Sequence, residues 1–173
     1  MTIIVRNERP EDVDHIRDLT EMAFRDRRYS CKREHFLIDD LRAANALTVS
    51  LVALTESTII GHVALSPVSM TGASGPWFGL GPISVLPAWQ RKGVGTAMMK
   101  EALSRLTQQQ AAGCILVGDP RFYKRFSFAH DSSIIAENEP LEYTMILRLS
   151  VNSDHGIARF HDAFTVKLST AHD

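Results

Sequence analysis

A basic turn marked by glycines joins an apolar run to a helical pattern in the middle of the sequence. It reads Gln90-Arg91-Lys92-Gly93-Val94-Gly95, and Thr96 follows. The first N–H groups of a helix lack partners within the helix and carry a partial positive charge, so a turn bare of side chains lets an anion bind them directly. The glycines supply that bareness, and two cations lie beside them. The turn predicts a site for a phosphate or pyrophosphate; the alternative is that the glycines only shape the chain.

Three phosphate-binding patterns can be compared with this turn. The pattern G-x-x-x-x-G-K-S/T of nucleotide hydrolases is absent. The dinucleotide pattern G-x-G-x-x-G begins correctly at Gly93 and Gly95 but has Met98 in its third position, which is too bulky for close packing of helix on strand. The pattern Q/R-x-x-G-x-G fits at every position from Gln90 to Gly95. The sequence therefore favours the third pattern over a nucleotide hydrolase or an oxidoreductase fragment.

The elements that position this turn can be predicted from hydrophobic periodicity. A period near 3.6 residues predicts helices over residues 10–25, 33–43 and 94–109. Asp119-Pro120 predicts the start of a short helix, because aspartate caps helices and proline suits their first position. Pro82 has no N–H to donate, so we expect a bulge or open edge there. Apolar and β-branched runs predict strands in residues 2–6, LTVSLVALTE, IIGHVALSPVSM, WFGLGPISVLP, GCILVGD, LEYTMILRLS and residues 164–168.

Length and composition indicate the class of protein. The 173 residues suit one compact domain, which we assign to residues 1–173. A formal net charge of −1 argues against a nucleic-acid partner, and no apolar run is long enough to span a membrane. The N-terminus does not have the pattern of a secretion signal, so we expect a cytoplasmic location. The two cysteines and scattered histidines predict neither a disulfide framework nor a metal site.

Several stretches together resemble the GNAT superfamily of N-acetyltransferases, and the last two look most like its YhbS-like bacterial branch. In chain order, the stretches are VRNERPEDVDHI, IIGHVAL, LGPISVLPAWQRKGVGTAMM, LVGDPRFYKRFSF and GIARFHDAF. The resemblance implies an α/β (α+β) fold whose mixed, mostly antiparallel central sheet splays between two parallel strands and is flanked by helices. It also implies that acetyl-CoA is the cosubstrate and that a primary amine of a small molecule or peptide attacks the thioester directly; no metal is expected, because the cysteines and histidines lack ligand spacing.

The resemblance also assigns roles to individual residues. The glycine turn would bind the pyrophosphate of acetyl-CoA through backbone amides, and the strand before it would pair with the pantetheine arm. The Val85 N–H would stabilise the oxyanion, and Tyr123 would protonate the departing thiolate, since a phenol with a pKa of about 10 is a workable acid for it. The assigned cofactor residues are Ile83, Ser84, Val85, Gln90, Arg91, Lys92, Gly93, Val94, Gly95 and Thr96.

Several alternatives stay open at this point. Tyr123 lies among phenylalanines and could be a core residue. No glutamate general base is recognisable in residues 78–86, and structural roles compete for the remaining candidates His62, Ser84 and Asp119. The basic connection RDRRYSCKR, residues 25–33, either attracts an acidic acceptor or is a solvated loop. A non-catalytic acyl-CoA-binding regulatory domain is the alternative function; the acceptor is not predicted, and a homodimer is left open.

Overall fold

The computed structural model describes residues 2–28 and 30–167. Its helices are α1 (Val13–Phe24), α2 (Glu34–Ala43), α3 (Val94–Gln108) and the short α4 (Pro120–Tyr123). Its strands are β1 (Ile4–Asn7), β2 (Val49–Thr55), β3 (Thr58–Gly72), β4 (Trp77–Val85), β5 (Gly113–Val117), β6 (Ile134–Ala136), β7 (Thr144–Arg148) and β8 (His155–Arg159).

The central sheet has the strand order β1-β2-β3-β4-β5-β7. Strands β4 and β5 run parallel, whereas the other neighbours on this path are antiparallel. The long strand β3 extends past β2, and its far half pairs with β8, which in turn pairs with β6. This arrangement confirms the predicted mixed, mostly antiparallel sheet.

The two parallel strands form a fork. They pair only from Trp77 with Gly113 to Gly79 with Ile115, so the rest of β4 has no partner on the β5 side. The Trp77 indole nitrogen donates to Asp154 over 2.8 Å and fixes the closed end. A Cβ atom at Gly113 would lie 2.3 Å from the Trp77 ring, so only glycine fits beneath it.

On its other side, β4 stays paired with β3 but carries a bulge. Val63 lies opposite Ile83 and Leu65 lies opposite Leu80, so Gly81 and Pro82 share one position of the ladder. The bulge predicted at Pro82 is thus confirmed. It brings the last residues of β4 to the open end of the fork.

Helices cover both faces of the sheet. Helix α3 buries its apolar side, including Met98 and Leu106, against one face. Helices α1 and α2 cover the other face, where Ile16 and Ile38 pack on Val52 of β2. The glycine turn therefore enters a helix whose position is fixed by the core, which holds its N-terminus beside the fork.

Several sequence predictions need correction. The strand predicted at residues 164–168 is wrong: Asp162–Lys167 form a 3-10 helix, and residue 168 lies outside the described residues. The amide of Phe164 bonds to the His161 carbonyl, and its ring packs beside the buried side chains of α2, so the apolar residues of this segment serve a helical turn. The short strands β6 and β8 were missed. The predicted helix over residues 10–25 begins with a 3-10 turn, Pro10–Asp12.

Candidate active site

The open edge of β4 presents free backbone groups to the fork. The Leu86 N–H donates to the Ile60 carbonyl over 3.0 Å and continues the ladder with β3. Hydrogen-bonded and non-hydrogen-bonded pairs alternate in an antiparallel ladder, so Ser84 directs its backbone groups toward β3. Ile83 and Val85 must then direct theirs toward the fork, where β5 has moved away. Such an edge can accept an added extended chain.

The glycine turn lies directly after this edge. The side-chain amide of Gln90 donates to the Val85 carbonyl over 3.1 Å and ties the turn to the strand. Gly93 precedes α3 with φ +86°, a conformation that favours glycine, and a Cβ atom there would meet nothing within 4 Å. No side chain at Gly93 therefore covers the N-terminus of α3, as the glycines in the sequence predicted.

The remaining residues of the turn divide into exposed and buried positions. Arg91 and Lys92 are exposed, and the Lys92 ammonium lies 5.1 Å from the centroid of the Trp89 ring. The Val94 side chain is buried against the core, so only its backbone can reach a ligand. Gly95 faces α4: a Cβ atom there would lie 3.3 Å from Cζ of Phe122. The turn and α4 therefore stand side by side at the open end.

Tyr123 lies on α4 and is buried. Its ring packs edge-on against Phe122 and Phe128, at centroid distances of 4.9 and 6.0 Å. It also lies against Gly118, where a Cβ atom would come within 2.4 Å of the ring. No hydrogen bond reaches its hydroxyl from the part of the chain that the structure describes. Burial raises the pKa of Tyr123, so the phenol keeps its proton at neutral pH.

Asp119, a candidate base in the sequence, has a structural role in α4. Its carboxylate accepts a hydrogen bond from the Arg121 amide at 2.9 Å and pairs with the Arg121 guanidinium at 2.7 Å. The hydrogen bonds from Arg121 lower the pKa of Asp119. The predicted N-cap is confirmed, and the carboxylate is a poor proton acceptor at neutral pH.

The basic segment is described at residues 25–28 and 30–33. The Lys32 side chain has a structural role. Its ammonium donates hydrogen bonds to the backbone carbonyls of Phe24, Arg25 and Arg27, at 2.9, 2.6 and 2.8 Å. It thereby satisfies the carbonyls that end α1. Within the described part of the chain, the guanidinium groups of Arg25, Arg27 and Arg28 form no ion pair. The charge of Arg27 acts to lower the pKa of Tyr123, although burial outweighs it.

A part-buried polar chain runs from Glu8, just after β1, through Ser50 of β2 to the fully buried His62 of β3. Arg42 pairs with Glu8 through two hydrogen bonds of 3.0 Å. The Ser50 hydroxyl donates to Glu8 over 2.5 Å and lies 2.8 Å from Nε2 of His62. Burial acts to raise the pKa of Glu8, but the hydrogen bonds from Arg42 and Ser50 outweigh it and hold this pKa below its usual value. Sequence reasoning missed Glu8, Arg42 and Ser50, because they meet only through the fold.

Residues 13–128 match the model of the Acetyltransferase (GNAT) family. The chain belongs to this family. The name of the family describes acetyl transfer, and the fork and the turn lie within the matched range. Among the described residues, no three His, Cys, Asp or Glu side chains form a group that could hold a metal ion. None of the described helices is long and apolar enough to cross a membrane.

Individual GNAT proteins are similar over most of the chain. The Escherichia coli K12 protein named Uncharacterized N-acetyltransferase YhbS is 33% identical over 127 residues, 73% of each chain. A GNAT family acetyltransferase from Brucella melitensis, solved with acetyl-CoA, is 41% identical with a TM-score of 0.83, covering 94% of this chain and 98% of that one. The YhbS structure with CoA is 28% identical with a TM-score of 0.85, covering 94% and 92%. These likenesses confirm the predicted family, its YhbS-like branch and the fold.

Proposed function

We propose that the protein is an N-acetyltransferase that moves the acetyl group of acetyl-CoA to a primary amine by direct attack. The observation that carries this proposal is the open fork. Its edge leaves the backbone groups of Ile83 and Val85 unpaired by the sheet, directly beside a helix N-terminus suited to a pyrophosphate. Solved relatives with this fold are described with acetyl-CoA and with CoA.

Two parts of the site would share the binding of acetyl-CoA. The amides of the turn, from Arg91 to Thr96, would receive the pyrophosphate, with Arg91 and Lys92 adding positive charge. Ile83 and Val85 would pair with the amides of the pantetheine arm, as a strand adds to a sheet edge. The backbone groups of Ser84 face β3 rather than the pantetheine arm. Ser84 would therefore contribute by keeping the strand, with Ile83 and Val85, in position. Gln90 would act by holding the turn against Val85.

The reaction needs a donor for the oxyanion and an acid for the leaving thiolate. The Val85 N–H, directed into the fork, would stabilise the negative oxygen that develops as the amine attacks the thioester carbon. Tyr123 would give its proton to the CoA sulfur as the carbon–sulfur bond breaks. Its raised pKa keeps the phenol protonated, and its ring contacts hold the hydroxyl in place, so core packing and catalysis are compatible roles.

The segment at residues 25–33 supports a proposal about the acceptor. Arg25, Arg27 and Arg28 form a local positive field, although the whole chain carries a net charge of only −1, and the charge of Arg27 acts on the pKa of Tyr123. Lys32 contributes less to an acceptor, since its ammonium is held by the end of α1. An amine of a small molecule or peptide that also carries a carboxylate or phosphate would be attracted.

Free-thiol release from acetyl-CoA across a panel of amines tests the proposed function. The panel should include amino acids, peptides with free N-termini, lysine derivatives, polyamines and aminoglycosides. Thiol release that requires both the amine and the protein supports the proposal. Tight binding of acetyl-CoA without turnover on any amine would instead favour a non-catalytic acyl-CoA-binding regulatory domain. The single domain over residues 1–173, the cytoplasmic location, the absence of nucleic-acid and membrane partners, and a homodimer stay predictions.

A further inference from the structure

A glycine occupies the position where the fork opens. Gly79 is the last residue of β4 that pairs with β5, opposite Ile115. A Cβ atom at Gly79 would lie 2.7 Å from two ring atoms of Phe160, the residue that follows β8. Any larger residue at this position would therefore displace the ring. The glycine lets an aromatic ring lie directly on the backbone at the start of the fork.

The Phe160 ring and helix α1 lie on the same face of β4. Leu80 packs into the core under α3, and side chains alternate along a strand, so Gly79 faces the other way. Ser84 faces away from that core as well, because its hydroxyl donates to Thr20 of α1 over 3.3 Å. Phe160 and Thr20 therefore mark the two ends of the last part of β4 on one face.

Open space lies between these two ends, at the bulge of β4. A Cβ atom at Gly81 would meet nothing within 4 Å. Gly81 follows Gly79 by two residues, which is about 7 Å along a strand. Phe160 is only half-buried, so its ring combines the contact with Gly79 with a surface open to solvent. The ring and the open space at the bulge are thus neighbours at the mouth of the fork.

The chain after β8 holds the Phe160 ring in place. The His161 carbonyl accepts the N–H of Phe164 over 2.9 Å, and Nδ1 of His161 accepts the N–H of Ala163 over 3.1 Å. The rings of Phe160 and Phe164 contact each other, with their centroids 5.3 Å apart. Phe164 packs in turn beside the buried side chains of α2. The ring of Phe160 is therefore an anchored apolar surface.

We propose that Phe160 contacts the carbon chain of the acceptor next to its attacking nitrogen, and that the acceptor is a primary amine on an apolar carbon chain. This inference rests on the proposed function and names the class of acceptor. The side of the fork toward α3 is filled by the core, which includes Tyr123. The amine would therefore reach the thioester from the side that is open at Gly81, past the Phe160 ring.

An aromatic wall selects an acceptor by burying apolar surface. Each additional methylene group that is buried against it strengthens binding about fourfold. A charged or strongly polar group on the same carbons would lose its water without gaining a hydrogen bond from the ring. The carboxylate or phosphate proposed above must therefore lie beyond the carbons that contact Phe160.

Competition by n-alkylamines tests the inference. The acetylated product of the best panel amine is followed at saturating acetyl-CoA, with ethylamine, propylamine or butylamine added as the competitor. For the wild type, the inhibition constant should fall about fourfold with each added methylene, or about 16-fold from ethylamine to butylamine. In Phe160→Ala this ratio should fall to about twofold, while KM for acetyl-CoA stays unchanged. Ile157→Ala is the matched control, because Ile157 lies on β8 and is 43% exposed, and it should keep the wild-type ratio.

The ratio separates contact with the acceptor from a structural role, since a distorted site should bind all three alkylamines more weakly and keep the ratio. A wild-type ratio in Phe160→Ala would overturn the inference and leave the proposed function intact. So would a wild type that binds the three alkylamines equally or binds none of them. If Phe160→Ala does not fold, Phe160→Gln keeps a contact with Gly79 but makes the wall polar, and it should also lose the ratio. Absence of turnover by the wild type on every amine of the panel would instead remove the proposed function, and this inference with it.

Discussion

The side-chain amide of Gln90 donates a hydrogen bond to the carbonyl oxygen of Val85 across 3.1 Å. This contact joins the glycine turn to the open edge of β4, the two parts of the candidate site. It also satisfies the Val85 carbonyl, which the sheet leaves unpaired, while the Val85 N–H remains free for a ligand. This side chain therefore adds a direct link between the turn and the edge to the core packing that fixes α3.

Gln90→Leu should weaken binding of acetyl-CoA about fivefold. Removing a hydrogen bond of this kind changes a free energy by about 1 kcal/mol, and here the loss falls on the geometry of the site. Isothermal titration with acetyl-CoA measures the effect. Gln108→Leu, at an exposed position near the end of α3, is the control and should bind as the wild type does. Unchanged affinity in Gln90→Leu would show that the link is not needed.

Tyr123→Phe should lower kcat about 10²-fold or more, which is the scale of general-acid catalysis. Affinity for acetyl-CoA should change little, because the ring and its contacts stay. The matched control is Tyr143→Phe, since Tyr143 is 43% exposed and its backbone carbonyl, rather than its ring, bonds to Gly118. Burial raises the pKa of Tyr123, so the phenol should keep its proton up to a pH of about 10. The wild-type kcat should therefore not fall below that pH through ionisation of Tyr123. Full activity in Tyr123→Phe would leave Tyr123 as a core residue.

Reversing Arg27 and Arg28 to glutamate should raise KM for an anionic amine more than for a neutral amine of similar size. The field of these arginines fades over about 8 Å at physiological ionic strength, so the difference should shrink in high salt. Initial rates at two salt concentrations measure both values. Lys100→Glu, at an exposed position on α3, serves as the control. Equal changes for both amines would identify the segment as a solvated connection.

The free energy of unfolding should fall as the pH is lowered from about 6.5 to about 4, and His62 should be a cause of this fall. Burial lowers the folded-state pKa of His62 to about 4, so the unfolded chain takes up a proton in this window while the folded protein does not. The stabilising contribution is complete above pH 6.5 and is lost toward pH 4, to a total of about 3 kcal/mol. Urea unfolding at several pH values measures it. His62→Gln should have a flatter profile between pH 6.5 and pH 5; an identical slope in both proteins would contradict the prediction.

The turn and the bulge at Pro82 could be predicted because their signals are local, whereas the fork was expected only from the resemblance to the family. The glycines and the cations lie within a few residues, and Pro82 marks the bulge by its missing N–H. Asp119-Pro120 likewise shows where α4 begins. Each of these signals acts on the backbone next to it, so no knowledge of the rest of the fold is required.

The polar chain behind His62 could not be predicted, because its members meet only across paired strands. Glu8 and Ser50 lie 42 positions apart, and no short spacing connects them. The same limit explains Lys32, which reads as one more cation of a basic run but is held by carbonyls at the end of α1. The tail was misread because a short apolar alternation fits a strand and a helical turn alike.

The central claim is that the open edge of β4 and the bare start of α3 hold acetyl-CoA, and amide hydrogen exchange tests it most directly. With saturating acetyl-CoA, exchange should slow at Ile83, Val85 and residues 94–96, and not at the exposed end of α3. Gly95→Glu should abolish this protection, because it places a side chain and a negative charge where the pyrophosphate would bind, whereas the smaller Gly95→Ala should retain part of it. Exchange rates at Ile83 and Val85 that are the same with and without acetyl-CoA would contradict the account.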